Sequence, residues 1–333
     1  MNINSELLKK LLTTYSPSGS EDKIRDIIKS EVEGHVDEVS VDNLGNLICR
    51  KKGTGKRVMI AAHMDQIGLM ITDIEKEGFL RFTNIGGISP LMSYGQKVVF
   101  ADGTIGVVYA EEKKELGKIK LEDMYIDIGV DSKEEAMKIV TTGDSCVYHS
   151  EYVENDKQII SGALDDRIGC YIAIEAIKNL AKTDKDIYFA FTVQEELGLR
   201  GAKTAAYSIE PQLGIALDIT GSGDTPGANR FAVGLGKGAA IKARDNSIVV
   251  NPKVKNLMID TAVKNNIDYQ IEVLEFGGTD SGAIHLSREG VLAGVISVPT
   301  RYVHSPVEVI YKNDVVSCID LLSAILEGEL DII

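Results

Sequence analysis

Four apolar segments of this chain each run into histidine, aspartate or glutamate. RVMIAA leads to His63 and Asp65, IYFAFTVQ to Glu195 and Glu196, LGIALD ends at Asp218, and GVISVP leads through TRYV to His304. Short runs rich in apolar and β-branched residues read as buried strands. Carboxylates at the ends of buried strands cost free energy unless they are paired, solvated or bound to metal. Open α/β sheets collect their sites at the carboxyl ends of strands. Stability alone gives no reason for four such ends to carry only His, Asp and Glu.

The remaining pattern fits that reading. Two amphipathic helical segments open the chain, and VDNLGNLICRKKGTGKRVMIAAHMD reads as a hairpin followed by a buried strand at 57–62. From residue 160 onward the spacing predicts helix 167–181, strands 187–193 and 214–219, helix 252–265, strands 269–274 and 292–298, and helix 313–327. Residues 67–158 differ: they are glycine-rich, with short alternating strands and a turn at Asp102-Gly103. Only 131–140 there looks helical, with Asp131 or Ser132 as its cap. The expected fold is α/β, a mixed central sheet flanked by helices, formed by 1–66 and 159–333. A small β-rich barrel domain, 67–158, is inserted into it.

A formal charge of −14 disfavours nucleic acid and anionic membranes as partners. The N-terminus lacks the apolar core and cleavage site of a signal peptide, and no apolar run is long enough to span a bilayer. Cys49, Cys146, Cys170 and Cys318 are scattered without CxxC spacing, which reads as buried thiols in a cytoplasmic protein.

Each polar candidate also has a plainer explanation. Asp165 and Asp166 open a helix, where one carboxylate would serve the macrodipole but two in tandem exceed that need. His35, His149 and His285 read as ordinary surface or core histidines. His63 stands apart because Asp65, two positions on, can accept its second ring N–H. GTGK at 53–56 lacks the spacing of a phosphate loop and reads as a hairpin turn, and the glycines of VGLGKGAA at 233–240 precede no helix.

Two histidines with several carboxylates suit Zn²⁺, Co²⁺ or Mn²⁺. Two separate histidines and one shared carboxylate fit a pair of ions, ~3.5–4 Å apart, better than one. Such a pair can hold a bridging hydroxide and polarise a carbonyl. Adjacent strand residues face opposite sides, so one of Glu195 and Glu196 can bind metal while the other serves as general base. The reaction class is metal-assisted hydrolysis of an amide or similar bond.

AAHMDQIGLM, SGALDDRIGCY, TVQEELGLRGA, IALDIT, FGGTDSGAIH and VPTRYVHSPVE, in this order, resemble the tetrahedral (TET), glutamyl or deblocking dinuclear metallo-aminopeptidases, some of which carry endoglucanase labels. The resemblance spans essentially the whole chain. It implies His63 and His304 as terminal ligands of two ions, Asp165 bridging them, Glu196 and Asp218 completing the set, Glu195 as general base and Asp65 orienting His63. It also implies a cis peptide between Asp165 and Asp166, and a homo-oligomer, a tetrahedral dodecamer, assembled through the inserted domain. The implied activity is removal of N-terminal residues from short peptides. Many relatives have Glu where this chain has Gln66, a position taken to lie beyond direct reach of the metal.

A carboxypeptidase or deacylase on the same core is the nearest alternative, since recognition of the free terminus decides between them. An endoglucanase fits less well. The chain has no tryptophan and only 6% aromatic residues to stack sugars, and its carboxylates accompany histidines in ligand order.

Overall fold

The computed structural model describes residues 3–332 except 113–114, 182 and 229–231. Its centre is an eight-stranded sheet in the order Glu38–Val41, Leu47–Lys51, Asp186–Thr192, Arg57–His63, Leu213–Gly221, Leu292–Thr300, Ala239–Arg244, Tyr269–Val273. The four middle strands, Asp186–Thr192 to Leu292–Thr300, run parallel, so their carboxyl ends share one edge. Both flanks add antiparallel pairings, which makes the sheet mixed. Strands buried on both faces need continuous apolar sequence, and Val58 to His63 is buried at every position.

Helices cover both faces. Leu164–Asn179 and Lys312–Glu327 pack on one, with Ser5–Leu12, Asp22–Val32 and Pro252–Lys264 beside them, while Arg200–Ile209 and Ser281–Ile284 pack on the other. Leu7, Leu8, Leu11 and Leu12 give the first helix a buried stripe at helical spacing.

Directly after His63 and its neighbours the chain enters a closed six-stranded antiparallel barrel. Its order is Gly68–Ile74, Leu80–Ile85, Met124–Asp127, Ile105–Ala110, Lys97–Phe100, Ser145–Tyr148. It has its own core, including Leu69, Ile71, Leu80, Phe82, Val98, Phe100 and Ile126. Period-two alternation accounts for it: in Ile105–Ala110 every second residue is buried, leaving Ile105, Val107 and Tyr109 outside. A small third sheet pairs Gln158–Ser161 with Glu308–Tyr311 in the register Ser161↔Glu308. That pairing draws the chain before Asp165 against the chain after His304.

Four sequence expectations need correction. The helix expected at 131–140 is only Lys133–Ala136, capped by the Ser132 hydroxyl. Asp144 accepts the backbone N–H of Thr141 and turns the chain toward the next barrel strand. GTGK does not close a hairpin, because Leu47–Lys51 and Arg57–His63 lie on either side of Asp186–Thr192. The loop instead wraps that strand's entrance so closely that a Cβ on Gly53 would sit 2.1 Å from the Lys185 carbonyl oxygen. Arg200–Ile209 and Ala239–Arg244 were not expected as helix and strand. All four cysteines are free and buried.

Candidate metal centre

The four parallel strand ends and the helix start at Asp165 converge. Asp165 lies between two imidazoles: its Oδ1 is 2.9 Å from His63 Nε2, and its Oδ2 is 3.1 Å from His304 Nε2. Glu196 sits on the His304 side, with Oε1 3.4 Å from Nε2. Ligand atoms of His63, Asp165 and Glu196 all lie within 4.8 Å of one another. Asp218 stands two residues past the paired Ala61 and Ala216, level with His63, and lines the same cavity. Glu195 Oε2 is 4.0 Å from His63 Nε2. The seven residues expected at the site are therefore brought together.

Both rings turn the same nitrogen inward. His63 Nδ1 faces the Asp65 carbonyl oxygen at 3.1 Å, and His304 Nδ1 faces that of Gly87 at 2.9 Å. A carbonyl only accepts, so each Nδ1 carries the proton and each Nε2 is left to bind a ligand. Asp65 does more than expected. Besides its Oδ1 at 3.5 Å from His63 Nδ1, its carboxylate accepts the Ser18 hydroxyl and the backbone N–H groups of Glu195 and Glu196. The strand ends at Thr192, so the two glutamates diverge through a turn held by Asp65, not through strand alternation.

The tandem aspartates divide their work. Asp165 faces both imidazoles, while Asp166 accepts the backbone N–H groups of His63 and Gly169. The peptide between them is cis. Gln66 Oε1 accepts from Arg167, whose guanidinium is buried and also donates to the carbonyls of Leu11, Thr14 and Ser16. Of the histidines set aside, His35 and His149 are exposed, and His285 Nδ1 bonds the Ser281 carbonyl.

The electrostatics ask for added positive charge. Burial, then the nearby carboxylates, push Asp218 well above the usual range, and burial raises Glu195 and Glu196. Burial opposes protonation of His304, yet Asp165 and Glu196 together outweigh it and push the ring up to about 12. Carboxylates crowded around two imidazoles, both presenting Nε2, are the donor set a divalent cation needs. The residues fit the implied metal.

Sequence reasoning missed two contributors. Glu308, 1% exposed, accepts the backbone N–H of His304 at 2.8 Å and that of Asp165 at 3.3 Å, tying two site segments with one carboxylate. Its place four residues after His304 was the available signal. The barrel supplies Gly86 and Gly87, where a Cβ would come within 2.8 Å of Glu196 Oε2 and of His304 Nδ1 respectively. The Gly-Gly pair was visible in the sequence, but its distance from the site was not.

The chain is similar to known proteins along nearly its full length. A protein of Acetivibrio thermocellus is 50% identical over 318 residues, covering 95% of this chain and 96% of the relative. The structure of an aminopeptidase from the archaeon Desulfurococcus kamchatkensis superposes with a TM-score of 0.93 at 39% identity, covering 97% of this chain and 94% of that one. The Pyrococcus horikoshii TET1 peptidase, described as assembling into a tetrahedron or a large octahedral shell, gives 0.88 at 38% identity, covering 98% and 99%. The sequence profile of the M42 glutamyl aminopeptidases matches residues 45–321, and the chain belongs to that family.

Proposed function

We propose that this protein is a metal-dependent aminopeptidase that removes N-terminal residues from short peptides. Two divalent ions would be held by His63, Asp165 and Asp218 and by His304, Asp165 and Glu196, with Zn²⁺ first and Co²⁺ or Mn²⁺ as alternatives. The observation that carries this reading is the division of the Asp165 oxygens between two imidazoles. Bound there, the ions would polarise the scissile carbonyl and acidify water.

Glu195 is the proton carrier. It faces the cavity, its carboxylate meets no lysine or arginine among the described residues, and burial raises its proton affinity. It takes a proton from the attacking water, holds it at a carboxylate oxygen and passes it to the leaving amine. Asp65 fixes the His63 ring and the Glu195 backbone. Assembly into a homo-oligomer, a tetrahedral dodecamer, is part of the proposal. The exposed apolar side chains Ile105, Val107 and Tyr109 on the barrel support it.

The test is amino-acid release from short peptides with free or acetylated N-termini, using protein stripped of metal and reloaded with Zn²⁺ or Co²⁺. Metal-dependent release confined to free N-termini is expected. Release from the C-terminus or only from acylated substrates would replace the aminopeptidase with a carboxypeptidase or deacylase on the same site.

A further inference from the structure

The cavity over the metal cluster, about 570 Å³, extends past it into a recess walled by Ile219, Thr220, Lys242, Leu274, Phe276 and Val303. That volume is within the range of small-molecule sites. Beyond the cluster, Lys242 is the charged side chain lining the recess among the described residues, and its charge is already engaged. Its Nζ contacts Glu272 Oε1 and lies 3.5 Å from Asp245 Oδ2. Lys242 and Glu272 are each 1% exposed, and Asp245 is 2% exposed. The Thr220 hydroxyl is engaged as well, donating to Glu272 Oε1 at 2.9 Å. Neither acid lines the cavity.

Resting on the aminopeptidase reading, we infer that this recess takes the side chain of an uncharged, apolar N-terminal residue. An acidic side chain would need the Lys242 charge, which two buried carboxylates hold. A basic side chain would meet the Lys242 ammonium before it could reach either acid. Both would lose water without gaining a partner, whereas an apolar side chain meets Ile219, Leu274, Phe276 and Val303. Glu272 Oε2 and Asp245 Oδ2 accept no hydrogen bond among the described residues, but neither acid lines the cavity, so an entering side chain meets Lys242 and not the acids that hold it.

The experiment compares kcat/KM of metal-loaded protein on p-nitroanilides of Leu, Met, Glu and Lys, which share one leaving group. Leu and Met are expected to exceed Glu and Lys by roughly tenfold or more. Glu or Lys equal to or above Leu would overturn the inference while leaving the aminopeptidase reading intact. No turnover of any of the four would defeat that reading, and the inference with it. Glu272→Gln releases Lys242 from one acid and is expected to raise the Glu-to-Leu ratio by roughly tenfold. An unchanged ratio in the folded variant would overturn the hold of Glu272 on Lys242 as the cause. If that variant does not fold, the wild-type panel decides alone.

Discussion

Asp65 Oδ1 accepts the backbone N–H of Glu195 at 3.0 Å. One buried carboxylate thus positions the proposed base through its main chain, while its peptide carbonyl fixes the tautomer of His63. Asp65→Asn keeps the shape but weakens a group that accepts three N–H or O–H donors. We predict a loss of roughly 10–100-fold in metal affinity or activity, with secondary structure retained. Metal titration by calorimetry beside kinetics checks this, and wild-type values in both would remove Asp65 from a positioning role.

Glu195→Gln separates the proposed base from the proposed ligands. It should bind the same number of ions per chain as wild type, measured by atomic emission, and lose roughly 10²–10⁴-fold in kcat. Substantial turnover with full metal loading would take Glu195 out of the proposed mechanism.

The barrel reaches the site at Gly87. In Gly87→Ala the added Cβ would lie 2.8 Å from His304 Nδ1, a contact real Cβ atoms do not tolerate. The ring or the loop must shift, so we predict weaker metal retention with the barrel still folded. Dialysis against a chelator reads the first, and circular dichroism with thermal melting reads the second. Retention equal to wild type would show that the ring position is set without Gly87.

Acid stability gives a test at an ion pair outside the proposed metal set. Arg301 contacts Asp224 through Nε and Nη2, both at 2.8 Å, and holds its carboxyl down at about 2. The folded value lies below the unfolded one, about 4, so the contribution is full above pH ~4 and fades as pH falls toward 2. Asp224→Asn should therefore lower stability by about 1–2 kcal/mol at pH 7. Urea unfolding should show that deficit shrinking as pH drops below about 4. A deficit independent of pH would mean the ion pair is not its source.

Much of this was legible because the relevant signals were local. The runs leading to His63, Glu196, Asp218 and His304 announced buried strands with polar candidates at their tips, and the middle strands do stand parallel, with those residues at one edge. The helix Arg200–Ile209 was also legible but overlooked: Ala202, Ala205, Ala206 and Ile209 form a buried stripe at helical spacing. Parallel strands at 186–192 and 213–221 needed such a crossover. Other features could not be read from one dimension. Nothing near GTGK says that a strand from residue 186 will slide between its two flanking strands. Likewise, Glu308 meets Asp165 only after Ser161 has paired with it.

The barrel also bears on how the molecule comes to exist. His63 and Asp165 are 102 residues apart, and closing so long a gap in a disordered chain carries a large entropy cost. The barrel's strands pair only with one another among the described residues, and three of the six pairings join strands consecutive in the chain. Our hypothesis is that it closes early and shortens the gap before the two residues meet, because local contacts form fastest. Pulse-labelled hydrogen exchange during refolding would then find barrel amides protected ahead of the central strands. The opposite order would mean that the sheet assembles around an unfolded insert. On this sequence of events the metal is a late arrival, recruited to a pocket whose two halves a finished barrel has already brought within reach.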